Sequence, residues 1–227
     1  MKKAPSTPSP APSPEAAKPL RAADRIQRTA AELFYREGIR AVGVDEIVNR
    51  AGVTKPSLYR SFGSKDELAA AYLRDYECQF FERFEAAIAP HQGDPRAQLI
   101  AYFTHIANRT ASSAYRGCGM TNAAVEYPRA AHDGPPHPAR QVAEENKREV
   151  RRRFRDMAAA AGVRDAQGLG DALLLILEGC FMTGQLFEAD GDRPAKAAPA
   201  AVRHLIDAYL ADSHDSQAAT WPRTAGR

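Results

Sequence analysis

Lys55, Ser57, Tyr59, Arg60 and Ser61 fall within seven residues of the stretch GVTKPSLYRSF, residues 52–62. Each can donate a hydrogen bond. Leu58 and Phe62 stand four apart in the same stretch, so a helix here has two apolar anchors on one side and donors over the rest. Phosphate oxygens and base edges are acceptors for such a face. The residues for catalysis are not assembled in the same way. The chain has no P-loop, dinucleotide fingerprint, G-x-S-x-G or H-E-x-x-H. Asn122, Glu126 and His132 come nearest to a catalytic set, but no nucleophile or oxyanion donor accompanies them, so an enzyme is not expected.

Cys78, Cys118 and Cys180 are far apart and form no C-x-x-C pair. That pattern implies free thiols in a reducing cytosol, hence a cytoplasmic protein. No cofactor and no metal site are expected. One alternative stays open, a thiol- or metal-responsive sensor. Cys118 lies between glycines and follows Arg116, and His132 and His137 share a proline-rich loop.

The donor stretch needs partners to hold it. In DRIQRTAAELFYREGI, Ile26, Ala30, Leu33, Phe34 and Ile39 form one helical stripe, and Gly38 is placed to supply a left-handed cap. VDEIVNRAG follows, with Asp45 and Glu46 in its first turn and Val44, Ile47, Val48 and Ala51 facing inward. Gly52 closes it. Thr54 then serves as an N-cap, with Pro56 in the first turn of a third helix. A short helix, a tight turn and another short helix make a helix-turn-helix. From Arg21 to Lys65 there are nine Lys or Arg against five Asp or Glu, a local excess above the +3 of the whole chain.

Residues 21 to about 73, above all AAELFYREGIRAVGVDEIVNRAGVTKPSLYRSFGSKDEL, resemble the DNA-binding domain of the TetR family of bacterial transcriptional regulators. The resemblance covers about a quarter of the chain. It implies that Thr54, Lys55, Ser57, Tyr59 and Arg60 lie on the recognition helix, with Tyr59 on a phosphate and Lys55 and Ser57 on base edges. Ser61 stands where the family often has histidine. Lys65, in a capping box from Ser64 to Glu67, would hold another phosphate. Gly43 replaces the usual Thr or Ser cap. The resemblance further implies a homodimer on a palindromic DNA operator, a helical ligand domain, a small-molecule effector and repression as the usual output.

The expected fold is all-α, a three-helix DNA-binding domain followed by a helical ligand-binding and dimerisation domain. Composition divides the chain into a Pro/Ala/Ser-rich, disordered arm (1–19), the helix-turn-helix domain (20–66), the second domain (67–212) and a flexible tail (213–227). Lys2, Lys3 and Lys18 could add phosphate contacts, though disorder without function is the simpler expectation. Beyond residue 66, Leu68, Tyr72, Tyr76, Phe80, Phe84 and Ile88 recur at fourfold spacing and are assigned to core. The basic run KREVRRRFR, residues 147–155, is read as a solvated helix face, since acidic residues precede it at helical spacing.

From Ala172 to Met182 the chain is apolar nearly all round, which calls for a second neighbour. Leu175, Gly179, Met182 and Leu186, with Leu205 and Tyr209, are therefore the expected dimer interface, and Gly179 and Gly184 would admit another backbone. No window reaches the roughly 18 consecutive apolar residues of a membrane span, so no membrane partner is expected. Candidate effector contacts are Tyr102, Phe103, Ile106, Met120, Asn122, Glu126, Phe154 and Phe181; for each aromatic the competing role is ordinary core.

Overall fold

The computed structural model describes residues 20–129, 135–187 and 193–218, with side chains as far as residue 211. The described residues are helical, with no strand. The elements are α1 (Ala22–Glu37), α2 (Val44–Ala51), α3 (Lys55–Phe62), α4 (Lys65–Ile88), α5 (Pro95–Arg109), α6 (Gly119–Glu126), α7 (Pro138–Ala160), α8 (Ala166–Leu186) and α9 (Ala198–Ala218). Short 3₁₀ turns at Ala89–His91 and Pro194–Ala197 precede α5 and α9. The arm, the loop containing His132 and the last nine residues lie outside the described residues. Helix α9 continues to Ala218, past residue 213 where the tail is expected to begin.

The first three helices form where their local signals place them. Ile26, Ala30, Leu33 and Phe34 are buried along α1, and Ile47, Val48 and Ala51 along α2. Gly52 takes the left-handed conformation, φ 63° and ψ 44°, so that its N–H and that of Val53 close the end of α2. Gly38 departs from the expected cap. Its φ of 93° is positive but its ψ is 149°, an extended mirror-image conformation that only glycine adopts readily. The turn is opened there because Glu126 of α6 lies against Gly38, where an added Cβ would sit 3.1 Å from its Oε1. Ser64 Oγ accepts from the Glu67 N–H at 3.0 Å and fixes the start of α4.

The long helices enclose the second core. Leu68, Tyr72, Tyr76, Phe80 and Phe84 are buried as their spacing predicts, while Ile88 is partly buried. Four rings meet at its centre: Phe84 lies 4.4 Å from Tyr102, and Phe154 lies 5.9 Å from Tyr102 and 5.7 Å from Phe103, between centroids. Phe154→Ala removes the ring that α7 contributes and is expected to cost about 3–5 kcal/mol of folding stability. Urea unfolding checks this; a loss well under 2 kcal/mol would mean that the ring borders empty space.

The basic run of α7 is a solvated face held by acids. Arg152 and Arg153 both bond Glu149, holding its carboxyl down at about 2. Arg151 and Arg155 both reach Asp171 on α8. Close contact at that crossing needs Gly170, where a Cβ would meet the Arg155 backbone at 2.9 Å. By contrast α8 is not buried all round. Leu169, Leu173, Leu177, Cys180 and Phe181 pack inward, whereas Leu175 is 75% and Leu186 70% exposed.

One amendment concerns the membrane. By length and composition alone α8 is apolar enough to cross one, with a mean hydropathy of 1.3. Its two acidic residues, Asp171 and Glu178, are both ion-paired with α7, an arrangement that joins the helix to the rest of this domain.

Candidate nucleic-acid interface

The donor stretch forms α3, pinned by buried Leu58 and partly buried Phe62. It packs against α1, α2 and α4, which sets its angle to the domain. Tyr59 projects from it and is 47% exposed. Lys55 also points outward, but its Nζ is 2.7 Å from Asp45 Oδ1 at the start of α2. That carboxylate, through its hydrogen bond and then its charge, raises the Lys55 pKa. Ser57 is the centre of a small network. Its Oγ lies 3.2 Å from Thr54 Oγ1 and accepts from Arg60 Nη2 at 3.2 Å, and its carbonyl accepts from Ser61 Oγ at 2.9 Å. Thr54 therefore occupies the N-cap position without capping a backbone N–H through its hydroxyl.

Lys65 starts α4 beside the same surface, with Nζ 3.4 Å from the Arg40 carbonyl; partial burial lowers its pKa. The six donors from Thr54 to Ser61 and Lys65 thus lie on one side of the domain, three of them held by Ser57. Asp45 was missed because nothing in its own neighbourhood marks it as the partner of a residue ten positions on.

The candidate effector residues do not share one site. Tyr102, Phe103, Ile106, Met120, Phe154 and Phe181 are buried in the core. Asn122 Nδ2 donates to the Arg116 carbonyl at 2.8 Å and shapes the loop before α6. Glu126 is a clasp between the domains: its Oε2 accepts from the Arg40 N–H at 2.7 Å, and its carbonyl accepts from Arg40 Nη1 at 3.3 Å. None of the eight lines the cleft of about 620 Å³ that opens between α1 and α4. Arg83 of α4 and Arg109 of α5 face that cleft. Neither carries a spacing signal in the sequence.

The sensor residues are also displaced from their expected surroundings. Cys118 is fully buried, and the cation near its sulfur is Lys147, Nζ to Sγ 3.5 Å, while Arg116 turns away to the Arg36 carbonyl. His137 stacks on Tyr127 at 3.6 Å. Among the described residues no group of three or more His, Cys, Asp or Glu is placed to hold a metal ion.

On the expected dimer face, Leu175, Gly179, Met182 and Leu186 form a single exposed stripe along α8. Nothing lies within 4 Å of a Cβ built on Gly179. Leu205 and Tyr209 on α9 are partly buried against the core. Gly184 does not belong to this face, since a Cβ there would strike Thr110 and Tyr115 of the same chain at 2.8 and 2.9 Å.

Residues 26–72, from α1 into α4, match the sequence model described as bacterial regulatory proteins, tetR family. The chain is 53% identical over 45 residues to the transcriptional activator FasR of Mycolicibacterium smegmatis, covering 20% of each. It is 32% identical over 94 residues to the transcriptional repressor ComR of Escherichia coli, covering 41% of this chain and 45% of ComR. Beyond the matched region the fold itself decides. A TetR-family transcriptional regulator from Streptomyces coelicolor superposes with a TM-score of 0.70 at 29% identity, over 84% of this chain and 95% of the other. The domain over residues 26–72 is that of the TetR family, and the helices beyond it follow the fold of TetR-family regulators.

A second member, from Streptomyces avermitilis, gives a TM-score of 0.72 at 27% identity over 84% of this chain and 99% of its own. These TetR-family relatives are regulators rather than enzymes. The chain spans less than half the length of FasR and ComR. The TetR-family assignment therefore rests on α1–α4 by sequence and on the full helical arrangement by structure.

Proposed function

We propose that the chain is a cytoplasmic transcriptional regulator that binds a palindromic duplex operator as a homodimer, with α3 of each copy in the major groove and repression as its output. The observation that carries this reading is the exposed donor face of α3, anchored by Leu58 and flanked by Lys65. Tyr59 and Lys65 serve phosphates, and Lys55 and Ser57 serve base edges. Binding draws Lys55 away from Asp45, so Asp45 penalises sites that offer Lys55 no acceptor in return. The exposed stripe of α8 supplies the dimer contact, which sets two α3 helices about one turn of duplex apart. A small molecule that favours the conformation unable to bind DNA would release the operator.

Selection of genomic fragments by the purified chain, at low salt and without added small molecules, tests the reading. Retention of a fragment with an inverted repeat is expected. For six to ten phosphate contacts per dimer, the log of affinity should fall against log salt with a slope between about −5 and −9. Retention of no fragment would refute the function.

A further inference from the structure

The cleft between α1 and α4 gathers positive charge that the described residues do not fully neutralise. Arg83 and Arg109 face it, and neither forms an ion pair with a carboxylate of the described residues. Two of the cleft's three acids are otherwise engaged: Asp75 takes a hydrogen bond from Gln27, and Glu32 pairs with Arg36 at 3.5 Å. Arg109 instead donates to the Tyr76 hydroxyl at 3.3 Å, and Arg83 sits 5.9 Å from the centre of the same ring. Arg83 Nη2 is buried with no hydrogen-bond partner. A buried guanidinium N–H left unpaired is costly, and a bidentate oxyanion is its natural complement.

The neighbourhood agrees. His105, one turn before Arg109 on α5, is held below its usual range first by burial and then by the charges of Arg109 and Arg83. Burial also pushes the Tyr76 hydroxyl up to about 12, so it keeps its proton at neutral pH. Tyr35 and Tyr76 stack at 6.3 Å along the cleft and present ring surface beside the two cations. Four arginines and three carboxylates line the cleft, an excess of a single positive charge that matches a monoanion. Its volume of about 620 Å³ suits a small organic molecule.

We propose that this cleft is the effector site, and that its effector is a small organic monocarboxylate, bound by Arg83 and Arg109 with its flat apolar body against Tyr35 and Tyr76. The inference rests on the regulator reading above, to which it adds a place and a ligand class. The site is coupled to DNA through its walls. One wall, α1, packs on α2 and α3; the other, α4, leads into the second domain. Gln27 and Asp75 join the two walls, and Tyr35 ties α1 to the Arg116–Gly117 backbone before α6. A ligand between α1 and α4 favours a wider separation and so a different angle of α3 to the dimer axis, and its differential affinity for the two arrangements sets how far DNA binding falls.

The experiment titrates benzoate and phenylacetate, and their neutral amides, into the full chain by calorimetry and ligand-observed NMR, with inorganic phosphate as a separate arm. At least one carboxylate is expected to bind about tenfold or more tightly than its amide. Its binding should be lost in Arg83→Gln and Arg109→Gln and partly kept in Arg83→Lys, with circular dichroism reporting the fold of each. The same carboxylate should weaken operator binding about tenfold. Binding that is equal for acid and amide, or unaffected by both glutamine substitutions, overturns the inference, as does preference for phosphate over every carboxylate or silence of all probes at about 10 mM. Operator binding by the unliganded chain is measured alongside. Its failure would sink the regulator reading, whereas operator binding together with any of those negative results would sink this site alone.

Discussion

Tyr59→Ala is expected to lower operator affinity about 30- to 100-fold, and by a similar factor on any DNA sequence. Tyr59 is the most exposed aromatic side chain of the DNA-binding domain, and its hydroxyl can donate a hydrogen bond. A hydrogen bond to phosphate contributes about 1–1.5 kcal/mol. Two copies of α3 in a dimer double that to about 2–3 kcal/mol, the stated range of affinity. Phosphates carry no sequence, so the loss should be uniform. Tyr59→Phe should reproduce most of the effect, since it removes the hydroxyl and keeps the ring. Lys55→Ala behaves differently. It removes a base-edge donor and leaves Asp45 unpaired near the duplex, so discrimination between operator and mutated half-sites should shrink. Shift assays on cognate and scrambled duplexes separate the two classes. Wild-type affinity in both variants would remove α3 from the interface.

Leu175→Arg should convert the proposed dimer to monomers in sedimentation velocity, raising the dimer dissociation constant by at least about two to three orders of magnitude. Leu175 is 75% exposed and Leu186 70% exposed, one stripe with Gly179 and Met182. Covering these side chains contributes about 1.5–3 kcal/mol each if burial is complete. An arginine inside such a contact has no carboxylate partner on the stripe, and leaving a buried charge unpaired costs about 3–5 kcal/mol. Because Leu175 lies outside the folded core, the monomer should melt as the unsubstituted chain does apart from the loss of dimer stabilisation. Operator affinity should collapse with the dimer, because a single α3 reads only half of an inverted repeat. A dimer that survives the substitution would place the contact elsewhere.

Both predictions start from features legible along the chain. Leu58 and Phe62, the glycine that ends α2 and the Ser64 cap are local devices, each decided within about one helical turn. The apolar stripe of α8 was legible for the same reason, although its description as buried all round was not. Periodicity reports that a face is apolar but not whether the same chain covers it.

Several polar residues meet partners that their sequence neighbourhoods do not indicate. Asn122 and Glu126 looked like polar groups for a ligand, yet they bond the Arg116 carbonyl and the Arg40 backbone. Cys118 was read beside Arg116, its neighbour in sequence, whereas Lys147 from α7 reaches its sulfur. Gly38 was read as a left-handed cap, and Glu126, from far along the chain, lies where that turn opens.

What the sequence determined alone is the helical class, the helix-turn-helix with its outward donors, and the family those residues mark, since capping, periodicity and turn chemistry act over a few residues. What only the tertiary structure decided is which polar groups meet: Lys55 with Asp45, Arg40 with Glu126, and Arg83 and Arg109 with each other's field but no ion-paired carboxylate among the described residues. Such meetings depend on how α1, α4, α5 and α6 cross, and crossing geometry is set by packing among residues tens of positions apart, which no local pattern records.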